Sequence, residues 1–129
     1  MATYNRFEDL KAWRESRFLN KEVYFVLSPR TDKNSGVLIN HLFKTYGSIM
    51  DNIAEGFERE GNRELRQFLS ISKGSAGELR SQLYRALDIE IINDQEFQSL
   101  YKQTESICQQ LHNFIRNLNN TNVRGNKFK

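Results

Sequence analysis

Apolar residues in this chain recur at spacings of three and four from one end to the other, and a two-residue alternation persists nowhere. Successive side chains of a strand point to opposite faces, whereas a helix gathers every third or fourth residue onto one stripe, so the pattern restricts the chain to helices. Four segments carry it. The spacing predicts a first helix over about 8–27 with Leu10, Trp13, Ser16, Val23 and Leu27 inward, ended before Ser28-Pro29 because proline restricts the residue that precedes it. A second is predicted over about 36–57, with Leu38, Leu42, Ile49 and Ile53 on one stripe and with Gly56 and Gly61 marking its exit as C-terminal glycines do. The third is predicted over about 62–91, with Asn62 as N-cap and Leu65, Phe68, Ser72, Ala76, Leu79, Leu83 and Ala86 inward. In the fourth, over about 94–118, Asn93 and Glu96 have capping-box spacing, and Phe97, Leu100, Thr104, Ile107, Leu111, Phe114 and Leu118 keep a heptad rhythm.

Helices of similar length joined by short connections pack as antiparallel neighbours. The expected fold is therefore all-α, an up-down-up-down four-helix bundle with shallow, left-handed crossings. At 129 residues the chain has room for one core. Residues 1–118 form the expected domain, and residues 119–129, rich in Asn and without an acid, are expected to be a mobile polar tail. The longest apolar run, Val23 to Leu27, is far too short to span a bilayer. The single cysteine, Cys108, allows no internal disulfide, and the opening residues contain no apolar signal-like run, so the cytoplasm is the expected compartment.

The formal net charge of +3 comes entirely from Arg124, Lys127 and Lys129, because the other 16 basic side chains are matched by 16 acids. Phosphate binding then requires a local cluster of cations rather than a basic total. Arg66, Lys73 and Arg80 recur every seven residues on one face of the third helix, with Arg59 and Arg63 near its start. They are the candidate nucleic-acid contacts, joined by the three tail cations around Phe128. Glu58, Glu60, Glu64 and Glu78 are interleaved with them, and such a mixture more commonly marks a solvated face laced with ion pairs.

No catalytic constellation emerges. Di-iron bundles need Glu-x-x-His pairs, but Leu38 and Gln109 stand three before His41 and His112. Cys108 and His112 share a helix face yet supply two ligands only. Glu55 and Glu78 lack a neighbouring nucleophile or oxyanion hole, and Gly74-Ser75-Ala76-Gly77 falls inside a helix without the strand or the Lys-Ser/Thr ending of a phosphate loop. A non-enzyme without cofactor, metal, membrane or small-molecule substrate is expected.

The blocks Asn52-Ile53-Ala54-Glu55-Gly56-Phe57, Glu64 to Ser75 and Glu78-Leu79-Arg80-Ser81-Gln82-Leu83, with the opening Phe7-Glu8-Asp9-Leu10-Lys11-Ala12-Trp13, closely resemble the 23S rRNA intervening-sequence protein family of bacterial four-helix bundles. The likeness runs from Phe7 to Leu118, with Met50 where that family usually has proline. The resemblance implies a bundle that assembles into a five-fold ring, without an assigned molecular function, from reading frames often lying within sequences that interrupt ribosomal RNA genes. It also implies a fold similar to the accessory protein of diversity-generating retroelements, a basic pentamer that engages a reverse transcriptase and nucleic acid. Fold alone does not convey function.

Three groups of residues acquire expectations. Asn52, Glu55, Lys73 and Gln82 are expected to form a polar network that fixes helix register. Six of the eight residues from Ser70 to Gly77 are small, which a close approach of another backbone would explain. Phe18 and Phe25, seven apart, fall opposite the inward face of the first helix, and Phe43 and Met50 sit on the shoulder of the second. Together they are the expected subunit interface of a closed homo-oligomer, by the resemblance a pentamer. Two functions follow: a non-catalytic ring that binds RNA or an RNA–protein complex, or a protein-binding adaptor ring that does not touch nucleic acid.

Overall fold

Asp9 turns its carboxylate back onto the N–H groups of Asn5 and Arg6, at 3.3 Å each, a local competition that opposes continuous helix. Phe7–Asp9 close as a 3-10 turn, Leu10 is extended and buried, and helix α1 spans Lys11–Leu27 rather than starting near residue 8. The computed structural model describes residues 4–30 and 35–118. Within these, α2 spans Gly36–Glu58, α3 Asn62–Asp88 and α4 Asp94–Asn117. Ser28-Pro29-Arg30 form a second 3-10 turn, so α1 stops where proline predicts.

Contacts run between α1 and α2, α2 and α3, α3 and α4, and α4 and α1, which leaves α1 and α3 diagonal across the bundle. Residue pairing fixes the directions. Asn20 and Tyr24 meet Tyr46 and Phe43, while Ile49 and Gly56 meet Ser72 and Leu65. Lys73 and Tyr84 meet His112 and Tyr101, and Glu15 and Arg30 meet Gln110 and Glu96. In every pair the numbers rise on one helix as they fall on the other, so the fold is an antiparallel, up-down-up-down four-helix bundle.

The predicted stripes are inside, with local exchanges. Leu19 and Leu69 are fully buried although neither is on its predicted stripe, whereas Trp13, Phe68, Phe97 and Phe114 are half-buried. Gly56 is not an exit glycine. It lies inside α2, where a Cβ would stand 2.6 Å from Phe68 Cβ and 3.3 Å from Leu65 O, so its missing side chain lets α2 and α3 approach. Gly61, with φ of +92°, occupies the N-cap position predicted for Asn62; Asn62 begins the helix and donates from Nδ2 to Leu118 O. The α3 terminus falls at Asp88 because Glu90 adopts a left-handed φ of +63° and turns Ile91 and Ile92 into the core, their N–H groups bonding Ala86 O.

The capping box of α4 forms as expected, with Glu96 N donating to Asn93 Oδ1 at 2.8 Å and Asn93 N to Glu96 Oε1 at 3.0 Å. The Glu96 carboxylate is also gripped by both Arg30 guanidinium nitrogens at 2.7 and 2.8 Å. The Arg30 bond, opposed by burial and helped by Asn93, holds the Glu96 pKa below the usual carboxylate range.

A depressed carboxylate contributes stability in full above its unfolded pKa and loses it as pH falls through the folded value. Glu96→Gln should therefore cost about 1–2 kcal/mol at pH 7 in urea denaturation, and its gap to the parent should close below about pH 4. Gly56→Ala should cost about 1–3 kcal/mol through overpacking, whereas Gly74→Ala, whose Cβ would meet nothing within 4 Å, should gain up to about 1 kcal/mol. Both pairs are read from the same denaturation curves.

Candidate functional site

The third helix does two jobs. Its buried stripe, including Leu65, Leu69, Ser72, Ala76, Leu79 and Leu83, anchors it to the core, and its outer flank carries the cations. Arg66, Lys73 and Arg80 are all half-buried and follow one line of α3. Lys73 Nζ lies 3.2 Å from His112 Nδ1 on α4, an arrangement in which the ammonium donates and the ring nitrogen accepts. Arg80 makes no ion pair among the described residues, and its Nε is buried without a hydrogen-bond partner. Between them sits Cys108, whose thiol is pushed up by burial and pulled down by the charges of Arg80 and Lys73, with exposed Glu105 opposing that pull. The α3–α4 seam thus collects cations.

The other predicted contacts separate from it. Arg59, at the C-cap of α2, spends its guanidinium on Glu55 Oε2 at 3.1 Å and on the Phe68 ring at 5.1 Å. Arg63 is exposed near the start of α3. Arg124, Lys127 and Lys129 lie outside the described residues, as does the expected tail.

Asn52, Glu55, Lys73 and Gln82 do not form one network. Asn52 donates to Ser48 O and Oγ, and Ser48 meets Ser75 Oγ at 2.9 Å across the α2–α3 contact. Glu55 faces solvent with Arg59, Lys73 faces His112, and Gln82 is buried with its Oε1 unpartnered. Register polarity comes instead from small hydroxyls, foremost buried Ser72, which donates to Ile49 O at 2.7 Å. The small-residue segment is correspondingly split: Ser72, Ser75 and Ala76 serve the helix contact, while Gly74 faces open space and a Cβ at Gly77 would meet only Arg80.

The sequence reading passed over a ring cluster at the end of the seam. Tyr84, 50% exposed, lies 4.9 Å from Phe97 and 5.6 Å from Tyr101, ring centroid to centroid. Hydrogen bonding to Tyr101 raises its phenol pKa. Its spacing was the available signal, because Tyr84 stands one turn after Arg80 on the same face. On the diagonal helix Phe18 and Phe25 are 58% and 64% exposed, and Tyr24, also missed, is 55% exposed with its ring against Phe25 and Phe43. Phe43 and Met50 are half-buried.

Glu55 and Glu78 are both exposed, and among the described residues no group of three or more His, Cys, Asp or Glu side chains is placed to hold a metal ion. Nor is any described helix long and apolar enough to cross a membrane.

These features define an antiparallel four-helix bundle with an exposed aromatic face on one helix and a cationic seam on the diagonal side. The family model for the 23S rRNA-intervening sequence protein matches residues 8–113, and the chain belongs to that family. It is also similar to the crystal structure of a protein with unknown function from the S23 ribosomal protein family of Bacteroides thetaiotaomicron VPI-5482. That similarity has a TM-score of 0.76 at 17% sequence identity and covers 81% of this chain and 95% of the other. No curated protein matches the chain.

If small hydroxyls rather than surface pairs fix the register, Ser72→Ala should destabilise the bundle by about 1–2 kcal/mol and Arg59→Ala by less than about 1 kcal/mol. Thermal unfolding of the two variants measures the order, and the reverse order would reject it.

Proposed function

We propose that this chain is a non-catalytic subunit of a closed homo-oligomeric ring, by family resemblance a pentamer, that serves as a scaffold for RNA or an RNA–protein complex. The observation that carries the proposal is the row of exposed rings on α1: Phe18, Tyr24 and Phe25 together leave far more aromatic surface in water than isolated surface residues do. Covering each ring would bury on the order of 150–250 Å². Because α1 and α3 are diagonal, an assembly through α1 leaves the cationic seam facing outward, where a ring multiplies a weak site by its copy number. Burial, which raises the thiol pKa of Cys108, disfavours the thiolate and so a cysteine nucleophile there.

Phe18→Ser combined with Phe25→Ser should lower the mass found by light scattering at micromolar concentration while the helical circular dichroism persists. A monomeric parent protein would overturn the ring. Pull-down after nuclease treatment separates the scaffold from the adaptor reading: partners lost with the nuclease support the RNA scaffold, and partners retained while purified protein binds no RNA at low salt support the adaptor.

A further inference from the structure

We infer that the α3–α4 seam from Lys73 to Tyr84 is a seat for single-stranded RNA, its phosphates on Lys73 and Arg80 and a base on the Tyr84 ring. This inference rests on the RNA-scaffold reading and names where and in what form the RNA is held.

The charge is unspent. Lys73 faces a histidine rather than a carboxylate, and Arg80 keeps a buried Nε donor without an acceptor. That Nε is closed to solvent; the donors Arg80 offers to an external anion are its terminal guanidinium nitrogens, which make no ion pair among the described residues and stand on the same line of α3 as the Lys73 ammonium. Seven residues apart, Lys73 and Arg80 stand on one line of α3 beside α4, where Lys73 meets His112, rather than on separate faces. Beside that line stands Gly77, where a Cβ would reach only the Arg80 guanidinium, at 4.0 Å. A polynucleotide backbone can therefore lie close against α3.

The aromatic end explains why the strand is single. Tyr84 is held by Phe97 and Tyr101, so its ring is fixed before anything binds, and its outer side is exposed. A fixed exposed ring accepts an unstacked base, which a duplex does not offer. From Lys73 to Tyr84 the helix advances roughly 16 Å, a span of several nucleotides. Glu105, exposed on α4 and acting electrostatically on both Cys108 and Tyr84, opposes the backbone there.

Fluorescence anisotropy on the full chain, with a twelve-nucleotide RNA strand and the duplex of the same sequence, tests the seat. The single strand should bind more tightly than the duplex. Lys73→Gln and Arg80→Gln should each weaken it about tenfold at low salt and reduce the salt slope by about 0.7. Tyr84→Ala should cost about tenfold, Tyr84→Phe should retain binding, and Glu105→Gln should tighten it. Light scattering should find an unchanged assembly mass in every variant. Duplex binding as tight as the strand, or RNA binding indifferent to the Lys73, Arg80 and Tyr84 substitutions, would overturn the seat while leaving the RNA scaffold in place. Absence of binding to either RNA would overturn the scaffold reading itself. A changed mass for Tyr84→Ala would assign the ring cluster to a subunit contact and reject the seat.

Discussion

The approach of α2 to α3 at Gly56 sets the frame for everything outside it. A side chain there would collide with Phe68 Cβ, a group fixed to the opposing backbone, so the two helices stand at a separation only glycine permits. Close approach then brings small polar groups within bonding distance further along, Ser72 with Ile49 O and Ser48 with Ser75. Each of these bonds exists in one register only. With α3 locked lengthwise, its outer flank meets α4 so that Lys73 falls beside His112 and Tyr84 beside Tyr101. The seam is thus a consequence of packing on the far side of the same helix.

At the opposite end, the connections are held by charge rather than by close packing. Arg30, just past α1, reaches both Glu96 and Ile91 O, joining the exit of the first helix to the entry of the fourth. Glu96 serves at once as capping residue and ion-pair partner, so one carboxylate closes a helix end and ties two connections together. Glu90 contributes to the same end by a backbone turn that an L-residue adopts reluctantly, rewarded by the burial of Ile91 and Ile92.

The division of the surface follows from the diagonal placement of α1 and α3. One carries exposed aromatic rings with few constraints on their outer side, the other a partly buried line of cations ending in a braced tyrosine. The ring contact and the RNA contact proposed above therefore fall on different faces, and neither would cover the other.

The number of helices, their order, the proline stop after α1, the capping box of α4 and most inward residues were legible in the chain, because 3.6-residue periodicity and capping chemistry are local. The same pattern also placed Phe18 and Phe25 outside and Arg66, Lys73 and Arg80 on one line. It could not choose between neighbours such as Phe68 and Leu69, since residues three and four from a core position lie about 60° and 40° to either side of it and the packing partner decides which goes in. Nor could it see that Asn52, Glu55, Lys73 and Gln82 go to four different environments, or that Gly56 is a contact and not a helix stop. Those outcomes depend on which groups come to lie opposite, and that is decided only once the four helices have packed.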